Sequence, residues 1–99
     1  MSLLNNFIAL ADPTRLRILN ILGRLSTIGA SSSQIAETLQ VKLGVASHHL
    51  KLLQEKGLVL RTQSGKFAVY KIDLDRFRQL RQDLINLEQG TFSDESLRY

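Results

Sequence analysis

The spacing of apolar residues changes character once along this chain and then changes back, and that alternation restricts the fold more than any other feature. Leu3, Leu4, Phe7, Ile8, Leu10 and Ala11 recur at helical intervals, as do Leu16, Leu19, Leu22 and Leu25. Ile35, Ala36 and Leu39 stripe a third segment from about Ser33 to Gln40. Leu43, Ala46, Leu50 and Leu53 stripe a fourth from about Leu43 to Lys56. The period then shortens: Leu58-Val59-Leu60 and Phe67 to Ile72 read as two strands. From Leu74 the helical step returns through Phe77, Leu80, Leu84 and Leu87. The expected fold class is mainly α with a small β-hairpin: four helices, the hairpin, and a C-terminal helix.

Local punctuation agrees with this division. Asp12 suits an N-cap, and Pro13 suits a first helical position because it has no N–H to satisfy. Arg15, Arg17 and Arg24 are expected in solvent, opposite the leucines of the second helix. Residues 26–32, with Gly29 among small polar side chains, read as a loop. Ser31 and Gln34 have capping-box spacing, with Ser33 as a competing cap. Gly57 closes the fourth helix, and Gly65 in Gln63-Ser64-Gly65-Lys66 can take the positive φ of a hairpin turn. Residues 1–90 are expected to form one domain, followed by a polar, frayed tail at 91–99. Only residues 40–42 separate the third helix from the basic fourth one, which is helix-turn-helix spacing, and a hairpin directly after such a pair is a wing.

Composition narrows the chemistry. The chain has no cysteine, which removes disulfides, thiolate metal sites and cysteine nucleophiles together. It offers no glycine-rich phosphate loop, no nucleophile beside a plausible base and no metal cluster, so an enzyme and a bound cofactor are not expected. No apolar run can span a bilayer, and Met1–Ala11 lacks the basic start of a signal peptide, so the expected compartment is the cytoplasm, with no membrane partner. The net charge is +4, and between Val41 and Lys71 six basic residues stand against Glu55 alone. Basic charge gathered in one third of a chain is the footprint of phosphate binding.

A helical wheel of the fourth segment assigns Leu43, Ala46, Leu50 and Leu53 to the core. Gly44, His48, Lys51 and Glu55 face the opposite way, flanked by Val45 and Ser47. This outward arc defines the candidate DNA contacts. Ser47 and His48 can hydrogen-bond base edges or phosphates, Val45 can touch a thymine methyl, and Lys51 suits phosphate. Gly44 lets backbone approach closely, while Lys42 adds a cation beside the helix N-terminal N–H groups. Arg61 and Lys66 flank the wing turn. His48 and His49 diverge by about 100° around a helix and cannot easily share one metal ion; His49, at the border of the core face, is expected to be packed and hydrogen-bonded. Leu3, Leu4 and Phe7 at one end and Leu74, Phe77, Leu80, Leu84 and Leu87 at the other are expected to meet a second copy, since a domain this small already fills its interior with the second to fourth helices.

The blocks Ala9-Leu10-Ala11-Asp12-Pro13-Thr14-Arg15-Leu16-Arg17-Ile18-Leu19, Gln34-Ile35-Ala36-Glu37-Thr38-Leu39 and Ser47-His48-His49-Leu50-Lys51-Leu52-Leu53-Gln54-Glu55-Lys56-Gly57-Leu58-Val59, with a wing closing on Val69-Tyr70, resemble the ArsR-type (arsenic repressor-like) winged helix-turn-helix regulators. The resemblance covers roughly Leu3 to Leu87. It implies a homodimer packed through its first and last helices, each fourth helix in a major groove, the wings on flanking backbone, and a repressor function. It also implies where metal would bind. The thiolate pair of arsenic-binding members falls at Ser31 and Ser33, and the carboxylate and imidazole of zinc-sensing members fall at Leu74, Arg76 and Leu87. Hydroxyl, aliphatic and guanidinium groups are poor ligands there, so no response through those sites is expected. An unidentified small-molecule or protein effector stays open. The chain departs from the family in a longer loop before the third helix, in Gln40 at the usual turn glycine, and in the apolar opening Leu43-Gly44-Val45-Ala46. That opening motivates a second reading, a protein-interaction module that has lost specific DNA recognition.

Overall fold

The computed structural model describes residues 3–93, apart from the side chain of Ser64. Five helices and one hairpin follow the expected order: α1 (Leu3–Leu10), α2 (Pro13–Leu25), α3 (Ser32–Leu39), α4 (Leu43–Glu55), β1 (Val59–Ser64), β2 (Phe67–Ile72) and α5 (Leu74–Gln89). The C-terminal part of the expected tail, residues 94–99, lies outside the described residues.

Each helix boundary has a cause in its own residues. The Asp12 carboxylate accepts the Arg15 backbone N–H at 2.9 Å and so caps α2. For α3 the competition between Ser31 and Ser33 goes to Ser31. Its hydroxyl accepts from Gln34 N, while Gln34 Oε1 accepts from Ser31 N at 2.8 Å. The helix therefore starts at Ser32, one residue earlier than its apolar stripe predicts. Asp73 caps α5 by accepting from Arg76 N, and Gly90, at positive φ, ends it.

The core is made by α2, α3 and α4 closing on the base of the hairpin. Ile18 and Leu22 of α2, Ile35 of α3, and Leu50 and Leu53 of α4 are fully enclosed with Leu58 and Val59. Ala9 reaches the same cluster from α1, and Tyr70 reaches it from β2. Burying one such aliphatic side chain contributes about 1.5–3 kcal/mol, so this cluster is the main source of stability. Two expected inward residues are corrected. Leu16 is 50% exposed, and Ile18 takes its place because Ile18, Leu19 and Leu22 form the stripe that faces α3 and α4. Leu43 is 52% exposed, because it opens the first turn of α4 and projects past the packed face that begins at Ala46.

The hairpin is longer than its apolar residues indicate. Pairing runs from Val59↔Ile72 to Ser64↔Phe67, leaving Gly65 and Lys66 as a two-residue turn. The polar run Arg61-Thr62-Gln63 lacks the alternation of a half-buried strand, yet its backbone pairs fully with Ala68–Tyr70. The segment 26–32 is also more constrained than a loop. Ala30 N donates to Tyr70 O at 3.0 Å and Tyr70 N donates to Ala30 O at 2.7 Å, which pins the free edge of β2 to the connection between α2 and α3. Gly29 is what permits this approach. Its φ is +72°, and a Cβ there would lie 2.5 Å from the Tyr70 carbonyl oxygen.

The backbone N–H of Arg15 holds the Asp12 carboxyl below its ordinary value of 3.8, helped by the nearby charge of Arg15. A carboxylate with a lowered folded pKa stabilises the fold above its ordinary pKa and loses that contribution as pH falls through the folded value. Replacement of Asp12 by Asn is therefore expected to lower Tm at neutral pH, with the gap from wild type closing below about pH 4. Equal gaps at pH 7 and pH 2.5 would show that the carboxylate charge contributes nothing.

Candidate nucleic-acid interface

The burial of one face of α4 decides what its other face presents. With Ala46, Leu50 and Leu53 enclosed, Gly44, Val45, His48 and Lys51 stand in solvent and Ser47 is half-buried at the edge. The wheel thus places these five residues as expected, and adds Leu43 as an exposed apolar side chain beside them. Lys42 is the N-cap of α4. Its side chain makes no capping bond, so the first N–H groups of the helix lack a side-chain acceptor beside an exposed ammonium. His48, Lys51, Leu52 and Glu55 border a shallow depression of about 160 Å³ on the outward face.

The turn before α4 is built without glycine. Gln40 takes the left-handed conformation, φ 56° and ψ 44°, and its N–H donates to Ala36 O and Glu37 O; Val41 N donates to Ala36 O at 3.0 Å. A non-glycine residue in this region costs about 1–2 kcal/mol, so the packing of α3 on α4 must over-determine the turn. The departure from the family pattern at Gln40 changes the cost of the helix-turn-helix and leaves its geometry in place.

On the wing, Arg61 and Lys66 are exposed. Arg61 Nη2 donates to Gln63 Oε1 at 3.2 Å, and Gln63 Nε2 donates to Gly65 O at 3.0 Å, which orders the tip on which Lys66 sits. Among the described residues the Lys or Arg ion pair is Arg78–Asp75, and the His49 ring lies 3.9 Å from the Asp12 carboxylate. Lys42, Lys51, Arg61 and Lys66 thus have no carboxylate within 4.0 Å among the described residues, and their charge is available to an anionic partner.

The terminal helices divide the expected seam residues into two groups. Leu4 and Phe7 on α1 and Leu74, Leu84 and Leu87 on α5 are exposed. Leu3 and Leu80 are enclosed within the protomer, and Phe77 packs against the core cluster. Ile8 and Ile85 join the exposed group, and the leucine stripe alone did not single them out. Because α1 and α5 pack on one another, these apolar side chains lie on adjoining helices.

Arg15 was expected in solvent. It is partly buried instead: its Nε donates to Ala9 O at 2.7 Å and its Nη1 lies 3.4 Å from His49 Nδ1. The signal for this was Pro13, which cannot give the Ala9 carbonyl its helical donor. His49 has the packed, hydrogen-bonded role expected of it, and among the described residues no three His, Asp or Glu side chains group to hold a metal ion.

A helix-turn-helix pair followed by a pinned hairpin, with unpaired cations on the second helix and the wing, defines a winged helix-turn-helix protein. The model of the helix-turn-helix domain family matches residues 10–62. The transcriptional repressor SdpR of Bacillus subtilis is 34% identical over 83 residues, covering 83% of each chain. A homolog of the cadmium resistance transcriptional regulatory protein CadC from Staphylococcus aureus is 31% identical, but the match spans 60% of that protein's length and 75% of this chain. Among solved structures, an ArsR-like transcriptional regulator from Rhodococcus sp. RHA1 superposes with TM-score 0.79 at 28% identity, over 89% of this chain and 80% of that one. The homodimeric winged helix-turn-helix DNA-binding domain Mb0332 of Mycobacterium bovis superposes with TM-score 0.67 at 25% identity, over 96% and 84%. The chain belongs to the ArsR-type winged helix-turn-helix transcriptional regulators, a DNA-binding family and not a family of enzymes. Among the described residues no helix is long and apolar enough to cross a membrane.

Gly44 has no internal reason to be glycine. A Cβ there would meet nothing within 4 Å, and its φ is ordinary. Substitution of Gly44 by Ala is therefore expected to stabilise the free protein by up to about 1 kcal/mol, because alanine has the higher helix propensity. Chemical denaturation measures this directly, and a loss of stability would mean that the first turn of α4 is not helical in solution.

Proposed function

We propose that this chain is a homodimeric, sequence-specific double-stranded DNA-binding repressor that blocks access to a promoter and does not respond to metal through the family's known sites. The observation that carries the reading is the outward face of α4, where Lys42, Gly44, Val45, Ser47, His48 and Lys51 are presented while the inner face is locked in the core. In this reading Lys51 and Lys42 bind phosphate, Ser47 and His48 bond base edges or phosphate, Val45 meets a thymine methyl, and Gly44 leaves room for the backbone to approach the groove. Arg61 and Lys66 carry the wing to the flanking backbone or minor groove.

The homodimer is supported by the exposed Leu4, Phe7, Ile8, Leu84, Ile85 and Leu87 on adjoining helices, and by the homodimeric state of the Mb0332 domain. Two copies hold two half-sites about 34–36 Å apart at once, which turns a modest single-site affinity into specific binding. Repression is supported by the likeness to SdpR, a repressor. The metal-independent reading rests on donors: Ser31 and Ser33 stand where soft-metal members have thiolates, and the Ser31 oxygen is already committed to its capping box. The exposed Leu43 and Val45 favour the second reading, a winged-helix module that binds protein in place of an operator.

Binding to a labelled fragment from upstream of the chain's own gene, against unrelated DNA across a salt series, separates the two. Specific binding that survives moderate salt supports the repressor. Equal, salt-labile binding to both DNAs leaves phosphate attraction alone and favours the interaction module. Changing Lys51 to Ala should weaken binding to every sequence and flatten the salt slope by about one unit; unchanged affinity would remove Lys51 from the interface. Changing Leu84 and Leu87 together to Glu should give monomers that keep their helical signal, since both side chains are exposed, and should weaken specific binding. Leu80 does not serve for this test, because a charge at that buried site would unfold the protomer. A dimer that survives in sedimentation would place the seam elsewhere.

A further inference from the structure

The Ala9–Arg15 block is not absorbed by the DNA-binding face. In an unbroken helix the Ala9 carbonyl would accept the backbone N–H of residue 13, but Pro13 has none. Arg15 supplies the missing donor. Its Nε donates to Ala9 O at 2.7 Å, and its Nη2 donates to Ile8 O at 3.3 Å, closing the C-terminal end of α1. The third arm of the same guanidinium places Nη1 3.4 Å from Nδ1 of His49, on α4. A guanidinium only donates, so a hydrogen bond across this contact requires Nδ1 as the acceptor. The charged and titratable groups around the ring are Arg15, Asp12, whose Oδ2 lies 3.9 Å from Nδ1, and His48, whose ring centroid is 5.7 Å away.

We propose that Arg15 is a positioning residue for DNA recognition, its planar fork tying the end of α1 to His49 and so setting the angle of α4 relative to the α1–α5 seam. The proposal rests on the reading of the chain as a DNA-binding homodimer. Helix α1 packs mainly on α2 and α5, so the fork supplies a link to α4 that α1's main helix packing does not. Leu4 and Phe7 lie on the helix at one end of this link, and His48 and Lys51 lie beside His49 at the other. A pair of recognition helices must meet successive major grooves at a fixed separation, so a small change in this angle acts on both half-sites of a dimer. By linkage, DNA binding then tightens the dimer to the same extent that dimerisation tightens DNA binding.

Lysine is the discriminating replacement. It keeps the charge and can satisfy one α1 carbonyl, but its single ammonium cannot span from that carbonyl to His49. Specific and nonspecific DNA binding, sedimentation and melting would be compared for the wild type, Arg15→Lys, His49→Ala and the double variant. Each single change is expected to weaken specific binding about ten-fold, and the double change about ten-fold as well, because both break one link. Nonspecific affinity and the salt slope should stay as in the wild type. Ring ¹⁵N spectra should show the Nε2–H tautomer of His49 in the wild type and a mixture in Arg15→Lys. Direct phosphate binding by Arg15 would instead leave Arg15→Lys near wild-type affinity while Arg15→Ala flattened the salt slope, and would overturn the proposal. A lowered Tm with an unchanged ratio of specific to nonspecific affinity would reduce Arg15 to a helix cap and overturn it too. Wild-type protein that binds no DNA specifically would sink the functional reading and the proposal with it; specific binding indifferent to Arg15→Lys and His49→Ala would sink the proposal alone.

Discussion

Burial of the inner face of α4 governs the rest of this molecule. Ala46, Leu50 and Leu53 have no accessible surface, and they interlock with Ile18, Leu22 and Ile35 in a cluster that also closes the base of the hairpin. A helix has only one face left once the other is buried, so the same packing that stabilises the domain selects the side chains available to a partner. It also fixes the wing. Leu58 N donates to Leu53 O, and Asp73 N donates to Leu58 O, so the hairpin leaves and re-enters the core at the end of α4. Tyr70 then joins Ala30 across the free edge of β2. Rotation of α4 within the core would have to disturb all of these contacts together.

The terminal helices obey a different balance. Helix α5 buries Leu80 and half-buries Phe77 against its own protomer, yet leaves Leu74, Leu84, Ile85 and Leu87 in solvent. Scattered exposed leucines are ordinary on any protein. Several on two adjoining helices, at both ends of a small chain, form the kind of contiguous patch that marks an interaction surface. The stripe of leucines is thus divided: its middle member attaches α5 to the domain, and its outer members stand in solvent. Charge follows the same separation. Lys42, Lys51, Arg61 and Lys66 have no carboxylate within 4.0 Å among the described residues, while α5 balances Arg76, Arg78 and Arg81 against Asp75, Asp83 and Glu88, with Asp75 and Arg78 paired. Like-charge repulsion therefore does not oppose association through the terminal helices.

The parts of this architecture legible in the sequence were those set by local rules. Helix spacing, the Asp12 cap, the Ser31–Gln34 box and Gly65 all depend on residues within a few positions of one another, and each places its element within one or two residues. The features that differ from the local pattern have a common cause in contacts distant along the chain. The length of β1 was hidden because Arg61-Thr62-Gln63 pairs through backbone alone. The Ala30–Tyr70 bridge spans forty residues, and Gly29 reveals it only when the approach of β2 is known. Leu16 and Leu43 sit at the edges of their stripes, where the wheel gives the direction of a side chain but not whether anything lies opposite. Leu80 is the sharpest case, since an apolar step of three or four residues is the same whether its partner is the same chain or another. At the candidate site the outward arc of α4 was readable because it is the complement of a well-marked core face. Arg15 escapes local rules because it joins three helices, its own α2, α1 through Ala9 and α4 through His49.

The first turn of α4 sets the character of the proposed DNA contact. Lys42, Leu43, Gly44 and Val45 bring one charge and two apolar side chains to that turn, and none of the three that follow the cap has a polar side chain. Hydrogen-bonded base reading then falls to Ser47 and His48, one turn further in, where Ser47 is already half-buried. Phosphate contacts from Lys42, Lys51 and the wing position a protein on DNA but carry no base information. Discrimination in such an interface has to come from apolar contact with thymine methyl groups, from the close approach that Gly44 permits, and from the spacing between two half-sites. The last of these depends on how rigidly α4 is held relative to the dimer seam. A chain with few base-reading groups is in this way more dependent on the geometry of its dimer than one whose recognition helix is rich in amides and hydroxyls, and the contacts that fix α4 to α1 acquire a weight that their individual strengths would not give them.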